Sequence, residues 1–175
     1  ARLNRELSGT CTDVVVLGGG FIGLEIAATL RAAGRNVTVV EAAGRLLGRV
    51  VAPPIGEHVR QRLADLGVCI LTGMTVSRLE GENGHVSAAV TSAGERLPAQ
   101  LVIVGVGVVP NVELAGRAGI AISNGIRVDA QMRTSVPQVL SVGDVASYRH
   151  WLTGGDVRLE SVQNATDQAR LAART

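Results

Sequence analysis

Apolar residues fall in short runs broken by glycine, and the spacing between them changes along the chain. Residues 13–17 (Asp-Val-Val-Val-Leu) form a β-branched run that ends in glycines, the pattern of a buried strand entering a tight turn. Over 22–33, Ile22, Ile26, Leu30 and Ala33 recur near helical spacing, and Gly34 supplies a helix stop. Val37-Thr38-Val39-Val40 predicts a second strand, ending at Glu41. Strand, glycine turn, helix and strand make one βαβ unit. A second helix is predicted over 54–66, with Pro54 at its start, Gly67 just past its end, and Ile55, Val59, Leu63 and Leu66 as its buried stripe. Residues 68–71 follow as a strand.

From Val76 the period shortens. Val86, Ala88 and Val90 alternate, and Ser92-Ala93-Gly94-Glu95 reads as a turn, so 76–97 is predicted as a small antiparallel β-meander standing where a doubly wound domain would place a crossover helix. Leu101-Val102-Ile103-Val104 returns to the central parallel sheet. Beyond Asn111 the pattern predicts a short helix, strands at 126–128 and 139–142, and a final helix opened by Glu160-Ser161-Val162-Gln163-Asn164-Ala165. The fold class is α/β: a Rossmann-like parallel sheet with an inserted antiparallel β-meander.

Composition supports this pattern. Hydrophobic residues are 46% of the 175, aromatics only 2%, and there are 22 glycines, so the core must be built from Val, Ile, Leu and Ala. The net charge of +2 is spread along the chain without a basic run, which argues against nucleic acid as a partner. Cys11 and Cys69 show no metal-ligand or Cys-x-x-Cys spacing and read as small apolar residues, and His58, His85 and His150 are isolated, so no metal site is expected. Trp151, beside Arg149 and His150, reads as local packing in a loop. The longest apolar run, 101–109, falls well short of the about 20 residues a membrane-spanning helix needs. No membrane association is expected, and with no signal peptide visible the default location is cytoplasmic. The chain begins with Ala1 and enters Arg2-Leu3-Asn4-Arg5-Glu6-Leu7, which reads as the end of a helix; a fragment is expected.

The first chemistry lies in Gly18-Gly19-Gly20-Phe21-Ile22-Gly23. Gly-x-Gly-x-x-Gly is a weak signal alone, but this one follows a strand and opens a helix, as a dinucleotide site requires. Gly18 permits the turn, Gly20 lets a pyrophosphate approach the backbone, and Gly23 lets helix and strand pack closely. The helix start offers unpaired N–H groups and the positive end of a dipole. Glu41, at the end of the next strand, can accept hydrogen bonds from ribose hydroxyls and would repel a 2′-phosphate, which favours NADH over NADPH; Arg45 and Arg49 temper that preference. The alternatives are a turn that merely packs helix on strand and a solvated strand-end acid. Glu25 reads either as a residue near the nicotinamide or as a first-turn acid facing the helix dipole.

Two further strand ends carry glycine. Gly105 and Gly107, in Val104-Gly105-Val106-Gly107-Val108-Val109-Pro110-Asn111, either let a cofactor pass close to the backbone or form a simple turn. Asp144, in Val142-Gly143-Asp144, is predicted at the end of the strand over 139–142, where it can bond a ribitol or ribose hydroxyl or cap a helix.

These motifs, with Arg49-Val50-Val51-Ala52-Pro53-Pro54 and Glu160-Ser161-Val162-Gln163-Asn164-Ala165, resemble in order and spacing the FAD-dependent NADH:ferredoxin reductases of the putidaredoxin-reductase and rhodocoxin-reductase kind. The resemblance implies a flavoprotein with two dinucleotide-binding domains. Residues 1–108 would be the NAD(H)-binding domain and 109–175 part of the FAD-binding domain. The N-terminal FAD half and the C-terminal domain of the family would be absent. It further implies that Gly18, Gly20, Gly23, Glu41 and Arg49 contact NADH, that Glu25 lies near the nicotinamide, that Asp144 holds the FAD ribitol, and that the backbone at Val162 approaches the isoalloxazine. Electrons would pass from NADH through FAD to a [2Fe–2S] ferredoxin serving a cytochrome P450 or a ring-hydroxylating dioxygenase. Other NADH-dependent flavoproteins (NADH oxidases, nitrite-reductase-type subunits) and a non-catalytic NAD(H)-binding module are the competing expectations.

Overall fold

The computed structural model describes residues 11–175; the helix expected over 2–7 lies outside them. Two compact units make up the described chain, the first ending at Gly107 and the second running Val108–Thr175.

In the first unit, β1 (Asp13–Leu17) is an inner strand of the parallel sheet, and its Val14, Val15 and Val16 are fully enclosed. It pairs in parallel with β2 (Asn36–Glu41) on one side and β7 (Leu101–Val104) on the other, and β3 (Cys69–Thr72) adds beyond β2, giving the order β3-β2-β1-β7. Strands buried on both faces explain the unbroken valine runs. One face packs against α1 (Phe21–Ala32) and α2 (Pro53–Asp65) through Val14, Val16, Leu24, Ala27, Leu30 and Leu63. The other face, through Val15 and Val40, meets Ala89, Leu97 and Ala99. Ala89 and Leu97 belong to the meander, β4 (Val76–Glu82), β5 (His85–Thr91) and β6 (Arg96–Pro98), a three-stranded antiparallel sheet as expected. The Gln100 side-chain oxygen accepts the amides of Thr12 (2.7 Å) and Asp13 (3.0 Å), clasping the start of β1 to the entry of β7.

Both predicted helix stripes need correction. In α1 the buried positions are Gly23, Leu24, Ala27 and Leu30, while Ile22 is 62% exposed. In α2 they are Gly56 and Leu63 with Val59 half-buried, and Ile55 and Leu66 face outward. The reason is steric: a Cβ at Gly56 would stand 2.8 Å from the Leu46 carbonyl oxygen, so the smallest residue, not the largest, marks the contact face. Cys11 is buried as expected, but Cys69 on edge strand β3 is exposed and not part of the core.

The second unit holds α3 (Glu113–Arg117) and a sheet of order β11-β10-β9-β8, built from β8 (Ile122–Ser123), β9 (Gly125–Val128), β10 (Ala146–Arg149) and β11 (Asp156–Val157). β9 and β10 pair in parallel and the outer pairs are antiparallel. The strand predicted over 139–142 does not form. Leu140 makes only an isolated bridge to Arg133, and the strand is β10, which follows a 3₁₀ turn at Gly143–Val145. Val139 and Leu140 are partly exposed, so their apolar character signalled no sheet position. α4 (Val162–Ala172) closes the unit, with Ser161 at its N-cap accepting the Asn164 amide at 3.2 Å. Trp151 stacks on His150 but is 87% exposed, so it fills no packed site.

Candidate functional site

The glycine loop is held from several sides. Gly18 has φ +106°, its N–H donates to the Val40 carbonyl at 2.8 Å, and a Cβ there would strike the Gly105 carbonyl. Gly19 donates its N–H to Glu41 Oε2 at 2.6 Å, its carbonyl accepts the Leu47 amide at 2.9 Å, and a Cβ would lie 2.6 Å from Leu46 Cδ2. A Cβ at Gly23 would overlap the Gly18 carbonyl and sit 3.4 Å from Val16 Cγ1, so helix α1 seats directly on the loop. Gly20 is different. It is the N-cap of α1, and no heavy atom lies within 4 Å of where its Cβ would be. Packing leaves room for a side chain there, so the open space is available to something outside the chain.

Around that space lie the start of α1, with Phe21 57% and Ile22 62% exposed, and the end of β2. The Leu24 amide bonds back to the Gly20 carbonyl at 3.0 Å, and among the described residues no partner takes the Phe21 and Ile22 amides. A helix start with free donors suits an anion. Glu41 is half-buried and already engaged: Oε2 accepts from Gly19 and Oε1 accepts the Ala43 amide at 2.7 Å. Each carboxylate oxygen keeps a second lone pair for a hydroxyl.

The remaining residues expected at this site divide. Gly105 lies against Gly18 and Gly23, its amide donating to Leu17 at 2.7 Å, while Gly107, with φ +127°, has open space at its Cβ position. Arg49 is exposed. Arg45 is engaged within its own loop, donating to the Val51 carbonyl at 2.9 Å and the Gly48 carbonyl at 2.6 Å and so folding the 45–51 segment. Glu25 is exposed one full turn into α1, so it is not a first-turn acid. Leu46, which floors the loop under Gly19, was missed; an isolated Leu-Leu pair carries no periodic signal.

In the second unit, Asp144 is exposed on the 3₁₀ turn, not at a strand end. Gly143, with φ +75°, donates its amide to the buried Gln168 Oε1 at 2.7 Å. Asp144 and Arg158 line an open groove of about 350 Å³ with Val108, Val109, Pro110, Asn111, Ile126 and Val145. Val162, at the first position of α4, is 85% exposed. Among the described residues no cluster of three His, Cys, Asp or Glu is placed to hold a metal, and no helix is long and apolar enough to cross a membrane.

A parallel sheet with a glycine loop at the start of its first helix, and an acid at the end of its second strand, defines a dinucleotide-binding Rossmann unit. Residues 1–169 match the pyridine nucleotide-disulphide oxidoreductase family, and the chain belongs to that family. It is similar to the rubredoxin-NAD(+) reductase of Pseudomonas putida, with 46% identity over 171 residues, 98% of this chain and 44% of that protein. Among solved structures it is similar to the ferredoxin reductase for the CYP199A2 system from Rhodopseudomonas palustris, with TM-score 0.94, 45% identity, and 99% of this chain covering 43% of that one. It is also similar to the reductase in the covalent putidaredoxin reductase–putidaredoxin complex, with TM-score 0.91, 43% identity, and 98% of this chain covering 41% of that one. The resemblance read from the motifs is borne out, and the chain spans less than half the length of these relatives.

Proposed function

We propose that the protein passes electrons from NADH through FAD to a small iron–sulfur carrier, the first unit binding NADH and the second forming part of the FAD site. The observation that carries this reading is the open position at Gly20 beside free amides and the Glu41 carboxylate, a cradle that packing alone does not demand. In this reading Gly18, Gly19, Gly20, Phe21, Ile22 and Gly23 wrap the pyrophosphate, Glu41 receives the adenine ribose, and Arg49, Gly105 and Gly107 border the nucleotide. Glu25 lies toward the nicotinamide. The residues present fit one part of a flavin: Asp144 offers an exposed carboxylate beside a groove with apolar walls, and Val162 presents the exposed start of α4. When bound, FAD would supply the step from two-electron hydride acceptance to one-electron release. The chain's own part is to bind and orient NADH and to exclude NADPH. The domain boundary follows as 1–108 for NAD(H) and 109–175 for the flavin side, and the same reading carries a cytoplasmic location.

Similarity to relatives named for ferredoxin systems favours a [2Fe–2S] ferredoxin as acceptor. Similarity to rubredoxin-NAD(+) reductases favours a second acceptor, a rubredoxin. Reducing the full-length protein anaerobically with NADH and then adding each carrier tests both. Bleaching of the flavin band followed by rapid reduction of one carrier is expected. Flavin-free protein that binds NADH, or reduced flavin that reacts only with oxygen, overturns the reading in favour of a sensing module or an oxidase.

A further inference from the structure

Arg158 is a charged side chain nearly withdrawn from water, only 10% exposed. Its Nη1 donates to the Asp144 main-chain carbonyl at 2.8 Å and pairs with Glu160 Oε1 at 2.6 Å, while its buried Nε has no partner. Burying a guanidinium and leaving one donor unpaired is costly, and an apolar residue of similar volume fills such a space as well or better. Filling the interior therefore does not account for an arginine here. The backbone beside it is tightly packed as well. Gly125 has φ +133°, and a Cβ there would stand 3.0 Å from Arg158 Cδ and 2.5 Å from the Val145 carbonyl oxygen. The bond it makes is to the one residue of the 3₁₀ turn whose side chain faces open solvent beside the groove, and Arg158 lines that same groove.

We infer that Arg158 is a positioning residue for the flavin site: its guanidinium, oriented by Glu160, clamps the Asp144 carbonyl and so fixes where the Asp144 carboxylate meets a polyhydroxyl chain such as ribitol. Gln168 holds the same turn from its other end through the Gly143 amide, so the turn is gripped at two successive residues by side chains distant in sequence. This inference rests on the flavin reading above.

The test measures FAD dissociation constants for the full-length protein, from recovery of free-flavin fluorescence, in Arg158→Met, Arg158→Lys, Asp144→Asn and the Arg158→Met/Asp144→Asn double variant. R158M is expected to weaken FAD about tenfold, the scale of one lost charged hydrogen bond. R158K should restore part of that loss. Because the arginine acts through Asp144, the double variant should bind within about twofold of D144N alone. Losses that multiply, or R158M with unchanged affinity, overturn the inference. If R158M fails to fold, Glu160→Gln replaces it under the same criterion of non-additivity with D144N. Wild-type protein that does not bind FAD instead removes the flavin reading. The clamp is then read by hydrogen exchange in the 175-residue chain. Faster exchange in R158M at the Gly143 and Ala146 amides, with β1 and β2 amides unchanged, upholds it, and unchanged exchange at the turn overturns it.

Discussion

In the first unit the candidate ligand-facing residues are held by packing. The glycine loop touches Leu46, Val16 and Gly105 almost wherever a Cβ could go, over a core that covers both faces of the sheet. In the second unit the corresponding residue, Asp144, stands on a short turn above a core of Val128, Met132 and Ala146, and polar side chains hold it: Gln168 at Gly143 and Arg158 at Asp144. Packing is a property of many residues and fails by overcrowding. A polar latch is a property of two and fails by deletion. The contrast teaches where each unit is fragile.

The largest effect should come from Gly23→Ala. The added methyl must displace the Gly18 carbonyl, and overpacking of this kind costs about 1–3 kcal/mol or more. Chemical denaturation should show the loss, and calorimetric titration should show no NADH binding. Gln168→Leu is the matching change in the second unit. It leaves the Gly143 amide buried without an acceptor, for about 1–3 kcal/mol, and hydrogen exchange should quicken around 143–146 while the parallel sheet keeps its protection. If G23A instead proves mild and Q168L spreads through both units, the division between packing and latching is wrong.

Glu41→Gln sharpens the comparison, because Glu41 is a polar latch on the glycine loop of the packed unit. Gln keeps one acceptor oxygen and forfeits one of the two amide bonds, so stability should fall by about 1 kcal/mol and NADH affinity about tenfold. Gly20→Ala should cost stability no more than about 1 kcal/mol, as an N-cap change with open space around it, yet weaken NADH strongly. Equal stability losses in G20A and G23A would deny the distinction between a glycine kept for the fold and one kept for a ligand. The smallest effect lies in the meander. Hydrogen bonds from Arg96 first, then Arg78, hold the half-buried Glu80 carboxyl below its ordinary value of 4.5. The pairing is therefore in force above that value and fades as pH falls through the depressed one. An NMR titration should find the low midpoint, and Arg96→Ala should move it up.

Much of the first unit was legible from the chain, because period and position coincide there. The strand at 13–17, the glycine loop and the meander follow from alternation, β-branching and glycine placement. What failed were contacts that need no large apolar side chain. Gly56 and Gly23 face the packed side of their helices, where an added Cβ would collide with backbone, while Ile55 and Ile22 point outward, and a hydrophobic stripe cannot reveal that. Asn83-Gly84, both at positive φ, was a readable hairpin signal that places the β4–β5 turn. The second unit was less legible because its sheet is short and its restraints are polar. Residues 139–142 are as apolar as a strand but bridge at a single residue, and nothing in local sequence marks Arg158 or Gln168 as partners of a turn more than ten residues away.

The Gln100 clasp bears on how the chain finds its fold. It joins residues 88 apart, and β1 cannot gain its second neighbour until both ends of that span have met. Loop closure of this length is slow mainly because so much chain must be ordered before the contact is rewarded. A self-pairing hairpin late in the span takes up chain early and locally, so the distance left to search is shorter than the residue count. On that account the meander is also a folding device, and slowing its turn at Asn83-Gly84 should delay the parallel sheet it never joins.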